Sequence, residues 1–411
     1  MKVSFVARFV ALALITLGAV SQAQMANFTT PIEIASGPVS ERGLVLDPGI
    51  AVDTDGTVYV VYADLKDNKD VWLRTLSGTP LAAGAPVNVS NTPKISIQPE
   101  VAVSGGRVCV AWQEGDPGSL EISVACSDDG GKTFGAGVNV SKSPSVDSGV
   151  ITLGDGVWDG NLDIAMDKNK NIYVVWADDR DLRFSKSSDG KTFSDPITLP
   201  QGSSDVRYPH AEVGPDNTLY ISYNEPGEQA SDILVLKSTD GGNTFSKDPV
   251  FATTNRGFSD ASEMALDANN TLYVVNDDTT NNPDNADINL SVSADQGATF
   301  QDKGSIAKDG AFPSIATDGK NLFVAFWDIV NEKTLPTGFV YSTDGGKTFT
   351  RKDIPDSGDA YGFLELDTGI NISDAEVAAS PAQGGKSGTA YIVWARAAGR
   401  EGKILLTTFT P

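Results

Sequence analysis

The chain has 411 residues, 31 of them basic and 54 acidic, for a formal charge of −23. That balance works against nucleic acid and anionic membrane surfaces as partners, because both need basic patches to meet phosphate, and it favours cations or basic surfaces. With 40% hydrophobic residues and 41 glycines the sequence can bury a large core between many turns, which excludes a disordered chain.

The first segment reads as an export leader. Lys2 and Arg8 give a basic start, Phe9 to Val20 is almost wholly apolar, and Ser21-Gln22-Ala23 places small residues where a signal peptidase cuts. The expectation is a signal peptide over 1–23 and one domain over 24–411. No second apolar run is long enough to span a bilayer, so the expected product is soluble and secreted or periplasmic.

From Pro48 onward one unit recurs: a short apolar strand, a Gly/Asp/Asn turn, and a strand of β-branched and aromatic residues. It appears as PGIAVDTDGTVYVVYAD from Pro48, PEVAVSGGRVCVAWQE from Pro99, LDIAMDKNKNIYVVWADD from Leu162 and PHAEVGPDNTLYISYNE from Pro209. Three more copies start at Ser262, Pro313 and Ala375. The equivalent positions Tyr59, Cys109, Tyr173, Tyr220, Tyr273, Phe323 and Tyr391 lie 47 to 68 residues apart, the period of a four-stranded propeller blade.

Each unit reads as inner, second, third and outer strand. The last unit stops at a third strand, KILLTTFTP, whereas TTPIEIAS near the N-terminus is an outer strand without a blade of its own. Pairing the two closes a ring and removes exposed sheet edges. The expected fold is all-β, a single seven-bladed β-propeller, with six blades as the alternative.

Cys109 and Cys126 flank a hairpin in the second unit. If Gln113 pairs with Ile122, the two cysteines stand opposite each other, and an oxidising compartment lets them form a disulfide; free buried thiols are the other reading. The chain's only histidine, His210, is remote in sequence, which argues against a cysteine nucleophile.

Five copies of a shorter phrase end third strands: SDDGGKTF from Ser127, SSDGKTF from Ser187, STDGGNTF from Ser238, SADQGATF from Ser293 and STDGGKTF from Ser342. Asp and Gly make a tight turn, and Phe returns to a core. The second copy is one residue short. On these residues the chain resembles the Asp-box (BNR) repeat proteins of the sialidase-like β-propeller superfamily. The resemblance spans roughly residues 28 to 411, and it implies boxes on the face opposite any active site.

Sialidases of that superfamily have six blades, an arginine triad, an Asp acid/base and a Tyr/Glu nucleophile pair. Here Val206-Arg207-Tyr208-Pro209 matches their first motif only as Arg-x-Pro. Arg42 and Arg256 occupy comparable crossing loops, and Tyr361 with Glu365 lies in the last long one. Asp64 or Asp70 would be the acid. None sits in a diagnostic motif, so no catalytic set is named.

Two acidic patterns remain. Second strands are followed by Asp64, Glu114, Asp178, Glu225, Asp277 and Asp328, with Arg396 breaking the series; turn satisfaction and cation binding both explain it. The segment from Asn276, with Asp277, Asp278, Asp284 and Asp287, is the local candidate for a structural calcium, and no other cofactor is expected. Inner strands open with Glu100, Asp163, His210, Glu263 and Glu376, with Glu212 just beyond. These are candidates for a channel mouth or for solvated pore groups. The ligand-binding candidates are therefore Arg42, Asp163, Arg207, His210, Arg256, Glu263 and Tyr361. The favoured function is a secreted recognition scaffold for a glycan, surface polymer or protein; the alternatives are an exo-glycosidase of sialidase type and an assembly factor in an envelope complex. Oligomeric state does not follow from these residues.

Overall fold

The computed structural model describes residues 27–38, 48–64, 70–116, 119–142, 162–178, 181–202, 206–226, 230–253, 257–282, 285–330, 336–357, 375–398 and 401–411. Seven antiparallel sheets form the blades of a β-propeller, six with four strands and the first with five. The six-bladed alternative is thereby excluded. The inner strands are Gly49–Val52, Ile95–Ser104, Leu162–Met166, Arg207–Val213, Ser259–Leu266, Gly310–Thr317 and Glu376–Ala379, and they stand around one axial channel.

Second strands are apolar without alternation because both of their faces are covered. In Val58–Ala63, Val58, Val60 and Tyr62 pack on Tyr391, Val393 and Ala395 of blade 7, while Tyr59 and Val61 pack on Val108, Val110 and Trp112 of blade 2. Successive side chains thus serve the two neighbouring blades, and the core is a series of blade interfaces.

The seam closes as a strand from the other end of the chain. Ile32–Pro38 pairs antiparallel with Glu401–Phe409, Ile32 opposite Leu406 and Pro38 opposite Glu401. It completes the four-stranded blade 7 and leaves Ile34 fully buried.

All five Ser-x-Asp turns bond serine to aspartate and a glycine N–H to serine, and four of them add a threonine hydroxyl on the aspartate. In the first, the Ser127 hydroxyl donates to Asp129 Oδ1 (2.7 Å), the Gly131 N–H donates to Ser127 Oγ (3.0 Å), and the Thr133 hydroxyl donates to Asp129 Oδ2 (2.7 Å). In four blades the turn sits on a tyrosine of the preceding blade: a Cβ at Gly131, Gly241, Gly297 or Gly346 would lie 3.2 to 3.6 Å from Tyr59, Tyr173, Tyr220 or Tyr273. These glycines have φ of 67° to 77°, so the left-handed turn also requires them.

Blade 3 departs from this scheme. Its turn, one residue short, rests on the Cys109–Cys126 disulfide, and a Cβ at Gly190 would fall 2.8 Å from Cys126 Sγ. Cys109 pairs with Cys126 across the strands, in the register place that Tyr173 and Tyr220 hold elsewhere. Replacing both cysteines by alanine is expected to lower stability by about 2–4 kcal/mol, the usual worth of a bridge closing a loop of this size. Denaturant unfolding of the variant beside the oxidised wild type measures it.

Candidate functional site

Strand register places seven residues at one level of the channel. Gly49, Glu100, Asp163, His210, Glu263, Ser314 and Glu376 pair with Val61, Ala111, Val175, Ser222, Val275, Ala325 and Val393. Each of those partners stands two residues after Tyr59 or its equivalent in the other blades. The level therefore carries four carboxylates, a histidine and a serine. Glycine fills the last place because a Cβ at Gly49 would meet Pro99 O at 2.8 Å and Glu100 Oε2 at 3.2 Å.

Inner strands are sheet edges, and their outward N–H groups need partners. The polar ring supplies them. Asp163 Oδ2 accepts the Ala211 N–H (2.6 Å), Glu263 Oε2 accepts the Ile315 N–H (3.1 Å), and Ser314 Oγ accepts the Val377 N–H (3.1 Å). In all three the donor is the residue after the ring position of the next blade. Ser314 in turn donates to Glu376 Oε2 (2.7 Å). Replacing Asp163 by Ala strands the Ala211 N–H and also the Ile164 N–H that donates to Oδ1 (2.7 Å). The expected cost is about 1–3 kcal/mol per stranded group, read by thermal and denaturant unfolding.

The same ring holds chemistry beyond its structural bonds. His210 Nδ1 lies 3.2 Å from Asp163 Oδ2, an arrangement that keeps the Nδ1 proton on the carboxylate side and leaves Nε2 as an acceptor. Nε2 is buried and has no hydrogen-bond partner. Burial and the nearby Glu376 charge push the Glu263 carboxyl well above the usual carboxylate range. The channel encloses about 430 Å³, large enough for a small ligand.

Above the ring, four inner strands carry a bulge whose first residue has left-handed backbone: Gln98 (φ 49°), Tyr208 (47°), Ala261 (47°) and Phe312 (50°). This conformation costs non-glycine residues typically about 1–3 kcal/mol, and such outliers cluster where ligands are held. The bulges bring Tyr208 and Phe312 to the channel wall with ring centroids 6.4 Å apart, and the Trp327 ring lies tilted against Phe312 with centroids 4.8 Å apart.

Of the residues singled out in the sequence, Asp163, His210 and Glu263 come together on the channel wall, with Glu100, Glu212 and Glu376. Arg207 opens the inner strand of blade 4 instead of lying in a crossing loop, and its charge acts on Asp260. Arg42, Arg256, Tyr361 and Asp284 lie outside the described residues. The series of carboxylates after second strands runs through Asp278, not Asp277, in blade 5: Asp278 pairs with Asp287 as Glu225 pairs with Asp232. Three consecutive polar residues, Asn276 to Asp278, hide that register in the sequence.

The described aspartates of the candidate calcium segment, Asp277, Asp278 and Asp287, accept from protein donors. Asp278 accepts from the Ser259 hydroxyl (2.7 Å) and the Thr280 N–H (2.8 Å); Asp287 accepts from Lys308 and from Asn282 Nδ2 (3.2 Å). Asp277 accepts the Phe312 N–H (3.3 Å), and burial raises it to about 7. Among the described residues no three His, Cys, Asp or Glu side chains converge as a metal site. No helix among them is long and apolar enough to cross a membrane.

Sequence reasoning missed Gly49 and Ser314 as ring members, because neither is ionisable. Aligning the inner strands on the tyrosine position would have found both.

No family model matches the sequence, and no curated protein matches it. Solved structures do. A polysaccharide lyase of family PL25, an ulvan lyase bound to a GlcA-Rha3S unit, superposes with a TM-score of 0.58 at 12% identity over 91% of this chain and 95% of its own. The α-L-arabinanase of Penicillium chrysogenum, complexed with arabinobiose, gives 0.53 at 11% identity over 93% and 98%. An α-L-arabinofuranosidase of Fusarium graminearum gives 0.53 at 13% over 93% and 98%. At these identities the likeness is one of fold.

Proposed function

We propose that this is an exported propeller of the Asp-box (BNR) type that recognises a glycan at the mouth of its axial channel. In this reading residues 1–23 are the export leader and 24–411 the working domain. The observation that carries it is the set of polar ring residues Glu100, Asp163, His210, Glu263 and Glu376 beneath the aromatic pair Tyr208 and Phe312, all around one cavity. Carboxylates and an imidazole acceptor suit sugar hydroxyls, and aromatic faces suit the apolar faces of sugar rings. Support comes from the carbohydrate-acting enzymes that share the fold.

Calorimetric titration against a panel of neutral, acidic and amino glycans tests the proposal. His210→Ala and Glu263→Ala are each expected to weaken the best ligand at least tenfold while the fold persists, since each removes a polar side chain from the cavity wall. Absence of binding across the panel, or binding indifferent to both substitutions, would overturn it.

A second reading is glycan cleavage. The specific observation behind it is the Asp163–His210 pair, with an unpartnered Nε2, on the same cavity wall as Glu263, whose carboxyl burial raises well above its ordinary range; an imidazole and a raised carboxyl are the groups general base and acid chemistry needs. For the sialidase-type version only Arg207 of the three arginines can be placed, and it lies beside Asp260. Turnover of fluorogenic glycosides or loss of polymer viscosity, abolished by His210→Ala, would establish cleavage.

A further inference from the structure

One level below the polar ring the inner strands carry Ala51, Ala102, Ala165, Glu212, Ala265, Ala316 and Ala378, each opposite Tyr59 or its equivalent in the second strand of the blade. Alanine recurs because blades converge at the axis and space is short. Blade 4 alone breaks the rule, placing Glu212 opposite Tyr220.

Nothing structural accounts for that carboxyl. Asp163 and Glu263 in the ring above accept backbone N–H groups of the next blade; among the described residues Glu212 has no side-chain hydrogen bond, and the charge acting on it is the like-charged Asp163. The cavity wall carries five carboxyl groups, Glu100, Asp163, Glu212, Glu263 and Glu376, with His210 and without a lysine or arginine among its described lining residues. Glu212 is half-buried in that wall, and without a partner its charged form is costly, so the carboxyl favours its protonated form until a counter-charge arrives.

From this placement, and resting on the glycan reading above, we infer that the channel waist is a binding site for a protonated amine carried by the ligand, so that the recognised saccharide is an amino sugar with a free ammonium group. Glu212 receives the ammonium, Asp163 adds a second negative charge, and His210 Nε2, directed away from Asp163, accepts a neighbouring hydroxyl. A metal ion suits the site less well, because among the described residues no three ligating side chains converge. Burial raises Glu212 to about 8, so the free protein holds it protonated at pH 7. Docking of an ammonium then ionises it: the carboxyl proton leaves to solvent and the carboxylate pairs with the bound cation.

Titration calorimetry with glucosamine, N-acetylglucosamine and glucose at pH 7, in two buffers of different ionisation enthalpy, tests this. Glucosamine is expected to bind at least tenfold more tightly than the other two, with heats that depend on the buffer because a proton is released. Glu212→Gln and Glu212→Ala, the latter completing the alanine level and so compatible with the fold, are both expected to erase the glucosamine preference and the buffer dependence. Equal binding of glucose and glucosamine overturns the inference and leaves the glycan reading intact. So does failure of all three sugars while a glycan of the wider panel binds. A glucosamine preference that survives both substitutions removes Glu212 from the site and overturns the inference as well. If neither these sugars nor the panel bind, both fall.

Discussion

Ile34→Asp is expected to open the propeller. Ile34 is fully buried among Val58, Val60, Ile404 and Leu406, where the strand Ile32–Pro38 completes blade 7 against the last strand. An aspartate there loses the apolar burial of the isoleucine and places a charge in a dry interface without a partner. Either mechanism alone produces the upper end of single-mutation effects, and together they are expected to cost about 4 kcal/mol or more. Because this strand covers the Glu401–Phe409 edge, its release exposes a row of unpaired backbone groups that invites a second chain. The readouts are a fall in melting temperature and the appearance of dimers or larger species by light scattering. Glu33→Ala is the control: its ion pair with Lys403 (2.8 Å) is exposed, and its loss is expected to cost less than about 1 kcal/mol. An Ile34→Asp chain as stable and monomeric as the wild type would mean that the seam is not held by this strand.

Stability is expected to peak in mildly acidic solution and to fall on both sides. On the alkaline side, Glu212 is raised by burial from 4.5 to about 8, and Glu263 is also raised well above its ordinary value. A carboxyl whose folded pKa lies above its unfolded one binds more protons when folded. Its contribution is complete below the unfolded value and declines as pH rises toward the folded one. For Glu212 the shift corresponds to about 3–5 kcal/mol lost between pH 4.5 and 8. On the acid side the aspartates of the Ser-x-Asp turns act in the opposite sense. The Thr299 hydroxyl holds Asp295 at about 2, and the Lys191 and Thr192 N–H groups do the same for Asp189, so their contribution is lost as pH falls below 3.8. A series of unfolding curves from pH 2 to 9 measures the profile. Glu212→Gln is expected to flatten its alkaline limb and leave its acid limb unchanged; an unaltered alkaline limb would contradict the assignment.

Much of the fold is legible in the residues. The tyrosine series from Tyr59 to Tyr391 counts the blades because that side chain has one place per sheet, and pairing Gln113 with Ile122 is enough to set Cys109 opposite Cys126. The orphan strand at Ile32 and the truncated last unit imply each other. The site is less legible, because its defining contacts run between blades. That Asp163 binds the backbone of Ala211, or Ser314 that of Val377, depends on which strand end adjoins which, and no local pattern records it. The left-handed bulges at Tyr208 and Phe312 are hidden for another reason. They occur at bulky residues before proline, where local preference points to extended backbone, and tertiary packing overrides that preference.

The bridge between Cys109 and Cys126 bears on how this ring can drift over generations. In the other four turns a phenol lies underneath and the loop has its full length; in blade 3 two sulfurs replace the phenol and the loop has lost a residue. Gly190 is packed so closely on Cys126 that a side chain there would collide with the sulfur, which ties the short loop to the bridge beneath it. A chain with tyrosine at 109 and without a longer loop over 187–193 is expected to meet a collision, and one with the longer loop over the sulfurs a void. Kindred chains should therefore carry both changes or neither.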